Sequence, residues 1–208
     1  MGDAAKCEEI DADKLKITIR PLCPKLCGDW LEFFDKTAFE DHGEWAFCYC
    51  LEGHLDPETQ EKWTDPGERR EKAMELIRTG EMQGYLAYCA DTVVGWCNAN
   101  DRKNYKYLTE MFRKIGYHTK DPAEERVKSI FCFLIAPKYR GKGVAQLLLD
   151  RVCEDALKDG YAGAEAYPFV DKGFEYQYHG TVGMYERSGF LEIADLKYVK
   201  IMHKELSR

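Results

Sequence analysis

Apolar and polar positions alternate over Leu15-Lys16-Ile17-Thr18-Ile19-Arg20, which predicts a first strand. Trp30, Leu31, Phe33, Phe34 and Phe39 then crowd into Leu26 to Phe39, predicting an aromatic-rich helix. From Glu40 to Asp65 no period holds, and Trp45, Phe47, Tyr49 and Trp63 stand among turn residues. Pro66 to Thr79 predicts a helix, with Asp65 as its cap, Ala73, Leu76 and Ile77 on one face and Gly80 as its stop. Gly84 to Cys89 and Thr92 to Cys97 predict a β-hairpin about Ala90-Asp91, and Tyr107 to Arg113 a short helix.

The strongest signal is Ser129 to Ala136, a continuous apolar run closed by Pro137, which predicts a central strand buried on both faces. Lys138 to Ala145 follows as a basic, glycine-containing turn, and Ala145, Leu148, Leu149, Val152 and Ala156 recur at helical spacing. Gly163 to Tyr167 reads as the next strand, parallel to the central one through a right-handed crossover. Leu196 to Leu206 reads as a closing strand. Together these elements predict an α/β fold, a mixed central sheet with helices on both faces.

A strand, a Gly-rich turn and a helix in that order have a chemical consequence. The first helical turn carries N–H groups without intrahelical partners and the positive end of the helix dipole, so it attracts anions. Gly141 and Gly143 clear side chains from the approach, and Arg140 and Lys142 add formal charge. A pyrophosphate suits such a turn.

Arg140-x-x-Gly143-x-Ala145 in this setting resembles the acyl-coenzyme A signature of the GNAT N-acetyltransferases. Met184-Tyr185-Glu186-Arg187-Ser188-Gly189-Phe190 resembles the family's closing helix, and Ile19-Arg20-Pro21-Leu22 its opening strand. The resemblance implies a GNAT-like acyl-CoA N-acyltransferase fold over 15–208, with insertions near 40–82 and 98–126, while the polar, acidic and aperiodic start predicts a flexible segment over 1–14. It implies acetyl-CoA as cosubstrate, its phosphates at Arg140, Gly141, Lys142, Gly143, Val144 and Ala145 and its pantetheine arm paired with the backbone of Phe133, Leu134 and Ile135. A backbone N–H of that stretch would polarise the thioester carbonyl. Tyr185 matches the residue that serves as general acid. Two residues are open as base, Glu165 on the strand beside the coenzyme strand and His179 before the closing helix. The sequence departs from the family at Tyr178, which stands where many members have an asparagine that contacts pantetheine.

The expected activity is transfer of an acetyl group to a primary amine by direct attack in a ternary complex, since no cysteine lies in a motif marking an acyl carrier. The acceptor stays open among a small polyamine-like molecule, an amino acid, an antibiotic and a protein terminus, with a small molecule favoured. A non-catalytic CoA-binding module is the alternative. A nucleotide-binding turn fits poorly, because no Gly-Lys-Ser/Thr occurs and Gln146 interrupts Gly-x-Gly-x-x-Gly.

Composition narrows this further. A net charge of −7 argues against a general nucleic-acid binder. No stretch nears the roughly 20 apolar residues of a membrane span, and acidic residues occupy positions 8–13 where a signal peptide needs an apolar core. A cytoplasmic location is therefore expected. The 9 cysteines form no regular framework, and neither Cys48/Cys50 with His54 nor Cys23/Cys27 fits a zinc spacing, so no metal is expected. A homodimer stays open.

Overall fold

The architecture is organised by a sheet whose order is β1-β2-β3-β4-β5-β7-β6, seven strands among the described residues. These residues are 15–62, 65–114, 126–170 and 178–206 of a computed structural model. The expected flexible start over 1–14 lies outside them, as does much of the expected insertion after the hairpin.

Strand β1 (Ile17–Pro21) pairs antiparallel with β2 (Gly84–Cys89), and β2 with β3 (Thr92–Asp101). The hairpin turns at Ala90, whose φ of 51° is left-handed. Strand β3 is longer than expected because its polar end, Asn98 to Asp101, pairs with the start of β4 (Val127–Ile135). Strand β5 (Gly163–Ala166) runs parallel to β4, as the crossover predicts. The closing segment is two strands rather than one. Strand β6 (Leu191–Asp195) forms the sheet edge and pairs antiparallel with β7 (Lys200–Glu205), which pairs with β5.

Two cores cover the sheet. On one face α5 (Val144–Lys158) buries Val144, Leu148, Leu149, Val152 and Cys153 against Val94, Ile130 and Ala164. On the other, α1 (Cys27–Glu32) and the π-turn Phe33–Thr37 stack Trp30 on Phe34 at 4.0 Å and set it edge-on to Trp96 at 5.9 Å. Helix α3 (Pro66–Thr79) closes that side with Ala73, Leu76 and Ile77 buried. Its ends follow the expected chemistry. Asp65 Oδ1 accepts the Glu68 N–H at 3.0 Å, and Gly80 stops the helix at φ 77°.

Helix α4 (Lys106–Lys114) follows β3, and the irregular stretch carries a 3-10 turn (Gly43–Cys48) and α2 (Pro57–Lys62). Helix α6 (Val182–Arg187) is capped by Thr181, whose hydroxyl accepts the Met184 N–H at 3.2 Å. No helix among the described residues is long and apolar enough to cross a membrane.

Candidate active site

The site begins where β4 and β5 part. Their pairing ends at Ile130 opposite Ala166. Two features cause this. Pro168, shortly after β5, has no N–H to extend the ladder. In β4, Asn98 of β3 faces Cys132 while Ala99 faces Ile130, so Phe131 is the extra residue of a β-bulge, which bends the strand. Beyond the bulge the β4 edge faces a groove instead of a strand.

The groups along that edge are partly engaged. The Phe131 carbonyl accepts His179 Nδ1–H at 2.6 Å, the Phe133 N–H donates to the Tyr178 carbonyl at 2.5 Å, and the Ile135 carbonyl accepts Arg140 Nε–H at 3.0 Å. Backbone groups alternate between the two edges of a strand. Phe133 and Ile135 therefore present theirs to the groove, whereas Leu134 turns its own toward Trp96 of β3 and places its side chain in a pocket below.

At the far end the chain turns through Pro137–Tyr139 into α5. Gly141 and Gly143 have φ of 70° and 77°, and a Cβ at either would meet nothing within 4 Å. Conformation, not crowding, demands glycine there. Gly143 is the N-cap of α5 and offers no side chain to the first-turn N–H groups, and no acidic residue sits in that turn. An uncapped helix start thus borders a cavity of about 390 Å³, which Gly141, Gly143, Thr181 and Arg187 also line.

The basic residues there divide their work differently from the sequence-based expectation. Arg140 is held by both carboxylate oxygens of Asp41, and its guanidinium holds the Asp41 carboxyl below the usual aspartate range. Its charge is largely neutralised before any ligand arrives. Lys142, half-buried, has no ion pair to a described residue, and Arg187 points its exposed side chain at the same cavity. Arg187 was visible only as the basic position of the closing motif.

The groove continues past Ile135, Arg140, Ala145, Thr181 and Met184 into a second cavity of about 400 Å³. It reaches Phe133 and Tyr178, beyond which lies a pocket of about 350 Å³. The Tyr178 ring stands between the two, edge-on to Phe39 at 6.2 Å and Trp45 at 5.9 Å. Pocket walls come from segments that the hydrophobic pattern left irregular. Trp45, Phe47 and Cys48 belong to the 3-10 turn, Cys50 and Glu52 to the segment after it, and Cys132 to β4.

Three thiols therefore meet at this pocket. Cys50 Sγ lies 2.8 Å from Cys132 Sγ and accepts Trp96 Nε1–H at 3.2 Å. Burial raises the Cys50 thiol well above its ordinary value. Cys48 is raised by its contact with Cys50 and by burial. The Cys50 contact favours the Cys132 thiolate, yet burial leaves that thiol raised too. All three stay protonated near neutral pH, which disfavours an acyl-cysteine.

Of the proposed catalytic residues, His179 lines the pocket. Donation from Nδ1 to Phe131 leaves Nε2 with the lone pair, and burial lowers the imidazole to about 4 despite the carbonyl's opposing effect. Tyr185 lines none of the three cavities: it is fully buried behind Gly180 of the groove wall, packed by Phe190 at 5.3 Å and Phe133 at 6.5 Å, and its O–H donates to the His179 carbonyl at 2.8 Å. Burial raises the phenol well above 10, so it carries its proton at neutral pH.

Glu165 is placed elsewhere. Its Oε1 is 2.9 Å from Arg102 NH1 and 3.4 Å from His203 Nδ1, and its Oε2 accepts the Tyr167 O–H at 3.1 Å, with Ser129 donating to Tyr167 in turn at 2.7 Å. Burial alone would raise this carboxyl, but His203 and Arg102 hold it below the glutamate value. It also lines none of the three cavities, whereas His179 lines one. No group of three or more His, Cys, Asp or Glu side chains suited to a metal occurs among the described residues.

Comparison with known proteins agrees with this geometry. No curated protein sequence matches the chain. Among solved structures, an acetyltransferase of the GNAT family from Listeria monocytogenes superposes with a TM-score of 0.57 at 13% identity, covering 95% of this chain and 99% of its own. The PaiA N-acetyltransferase of Thermoplasma acidophilum, solved with coenzyme A, gives 0.53 at 17% identity over 91% and 99%. The yncA protein of Salmonella typhimurium, solved with its cofactor acetyl-CoA, gives 0.52 at 14% over 92% and 95%. At such identities the likeness shows the fold. The sequence model of the acetyltransferase (GNAT) family matches residues 45–190, and with the bulged β4, the splayed β5 and the glycine turn into α5 it establishes that the chain belongs to the GNAT acetyltransferase family.

Proposed function

We propose that the chain moves the acetyl group of acetyl-CoA to a primary amine, with both molecules bound at once. The observation that carries this is the row of adjoining cavities from the uncapped start of α5, along the partly engaged edge of β4, to a pocket beyond the Tyr178 ring. Lys142, Arg187 and the first-turn N–H groups of α5 would hold the phosphates, and the Phe133 carbonyl and Ile135 N–H would pair with pantetheine amides. Acetyl-CoA supplies an acetyl group activated as a thioester, and the amine nitrogen forms the amide bond as the C–S bond breaks.

The protein's part is proton management and carbonyl polarisation. The Phe133 N–H exchanges the Tyr178 carbonyl for the acyl carbonyl, one backbone-type acceptor for another. His179 Nε2 takes the amine proton. A weak base suffices, because nitrogen becomes strongly acidic only as the new bond forms. Tyr185, fully protonated, gives its hydrogen bond to the departing sulfur. The eight described cysteines are unpaired, which suits the reducing cytoplasm.

Calorimetric titration of acetyl-CoA, CoA and ATP into the full chain, with Lys142→Glu alongside, tests this, followed by thiol release across an amine library. Binding of both CoA forms but not ATP, weakened by Lys142→Glu, and amine-dependent thiol release are expected. Binding without thiol release from any amine would make the chain a CoA-binding module. Absence of CoA binding would overturn the assignment.

A further inference from the structure

We propose that Asp41 sets the affinity for acetyl-CoA by holding Arg140 in a clasp that the cosubstrate's pyrophosphate has to open; this rests on the acetyl-transfer assignment. Arg140 and Ile135 each line both the cavity at the start of α5 and the one that follows it, so they stand where the two join. The clasp is made at that junction. Arg140 donates Nε–H to the Ile135 carbonyl at 3.0 Å, its NH1 meets Asp41 Oδ2, and its NH2 donates to Asp41 Oδ1 at 3.2 Å. A guanidinium grips a carboxylate and a phosphate with the same two-pronged geometry, so an arriving pyrophosphate competes for the edge that Asp41 occupies.

The residue before Asp41 repeats the arrangement. Glu40 Oε2 lies 3.5 Å from Lys138 Nζ, so two consecutive carboxylates face two cations of the turn into α5. An anion entering there is opposed twice, by an Arg140 already neutralised and by the carboxylate beside it. The segment that carries Asp41 also reaches the other end of the groove. His42 stacks on Trp45 at 3.8 Å, both line the second cavity, and Trp45 lines the pocket beyond Tyr178 as well. The charges of the clasp are felt at the Tyr178 ring itself: burial pushes that phenol up to about 12, while Arg140 draws it down and Asp41 raises it. Releasing Asp41 therefore frees the start of the segment that walls the pocket, which links phosphate binding at one end to the pocket at the other.

The test titrates CoA and inorganic pyrophosphate, at low salt, into the full chain and into Asp41→Asn, Arg140→Gln and the double variant. Asp41 is exposed, so its replacement leaves both cores alone. We expect Asp41→Asn to bind both ligands about three- to tenfold more tightly, the span of an exposed but two-pronged ion pair. With Arg140→Gln already in place, the same change should bring less than half of that gain on a free-energy scale, because no guanidinium is left to release. Equal gains with and without Arg140 would make Asp41 merely a nearby negative charge, and unchanged or weaker binding in Asp41→Asn would deny the competition; either result overturns the inference while CoA binding keeps the acetyl-transfer assignment. Tighter pyrophosphate binding in Asp41→Asn, with CoA bound by none of the four proteins, would leave the clasp standing and remove the assignment. Binding of neither ligand by any of them would overturn both.

Discussion

Gly180 and Gly141 offer a matched pair of substitutions. Both have left-handed backbones, with φ of 72° and 70°. An alanine at either suffers the same conformational penalty, about 1–2 kcal/mol, reduced by about 0.4–1 kcal/mol because alanine restricts the unfolded chain. They differ in what surrounds the new methyl. At Gly141 it meets nothing within 4 Å, but at Gly180 it would lie 2.7 Å from Met184 Cε, 2.9 Å from Tyr185 Oη and 3.0 Å from Tyr185 Cε2. The end of Met184 can swing aside. Tyr185 is fully buried, so moving its hydroxyl strains the bond to the His179 carbonyl, worth about 0.5–1.5 kcal/mol, and disturbs packing besides. We therefore expect Gly141→Ala to cost about 1 kcal/mol and Gly180→Ala about 2–3 kcal/mol, a separation of roughly 2–8 °C in Tm for a chain of this size. Thermal unfolding followed by circular dichroism measures it. Gly180→Ala should also reduce kcat more than Gly141→Ala, since it displaces the proposed acid. Tm values within 1 °C of each other would show that Gly180 is not tightly seated against Tyr185, and the placement of the acid would be wrong.

Other expectations follow from the same geometry. Tyr185→Phe should lower kcat at least tenfold while leaving acetyl-CoA affinity within twofold by calorimetry; an unchanged kcat removes Tyr185 from the chemistry. Arg187→Glu should weaken acetyl-CoA roughly tenfold at low salt and less at high salt, whereas no change would place the phosphates elsewhere. Cys132→Ala should keep at least a third of the activity, because a raised, protonated thiol is no acyl carrier; complete loss with the fold intact would favour a double displacement. Acid should destabilise the fold between pH 6.5 and about 4. His54 and His179 are lowered to about 4 by burial, so as pH falls through 6.5 the unfolded chain takes up their protons first. The stability they contribute is fully present above 6.5 and declines on the way to 4, by about 3 kcal/mol for the buried His54 and by less for the half-buried His179. Glu165, lowered in the fold, adds its own loss below the unfolded glutamate value of about 4.3. Urea midpoints across this range should fall, and His179→Asn should flatten the slope; midpoints that stay level from pH 7 to 4.5 would contradict the burial of both rings.

The elements that could be read in advance are those whose signal is local. The run from Ser129 to Ala136 announces a doubly buried strand because every side chain on it must leave water. Asp65 and Gly80 announce the ends of α3 because capping and left-handed φ are decided within one turn. Gly141 and Gly143 mark the turn into α5 for the same reason. Strand β6 escaped because Leu191 and Ile193 are exposed on the sheet edge, at 73% and 47%, so its pattern carries no burial period. Roles that depend on a distant partner were decided by the fold alone. Arg140 carries the motif's charge, but Asp41, from a far segment, neutralises it. Glu165 sits on the expected strand, yet Arg102 and His203 turn it into a buried ion cluster. Glu52, Trp45 and Phe47 have no periodicity, and only the packing of their loop over β4 makes them walls of one pocket. A side chain's type and its nearest neighbours in sequence settle which backbone shapes and chemistries it permits. Which charges meet it, and whether water reaches it, depends on chain brought from elsewhere.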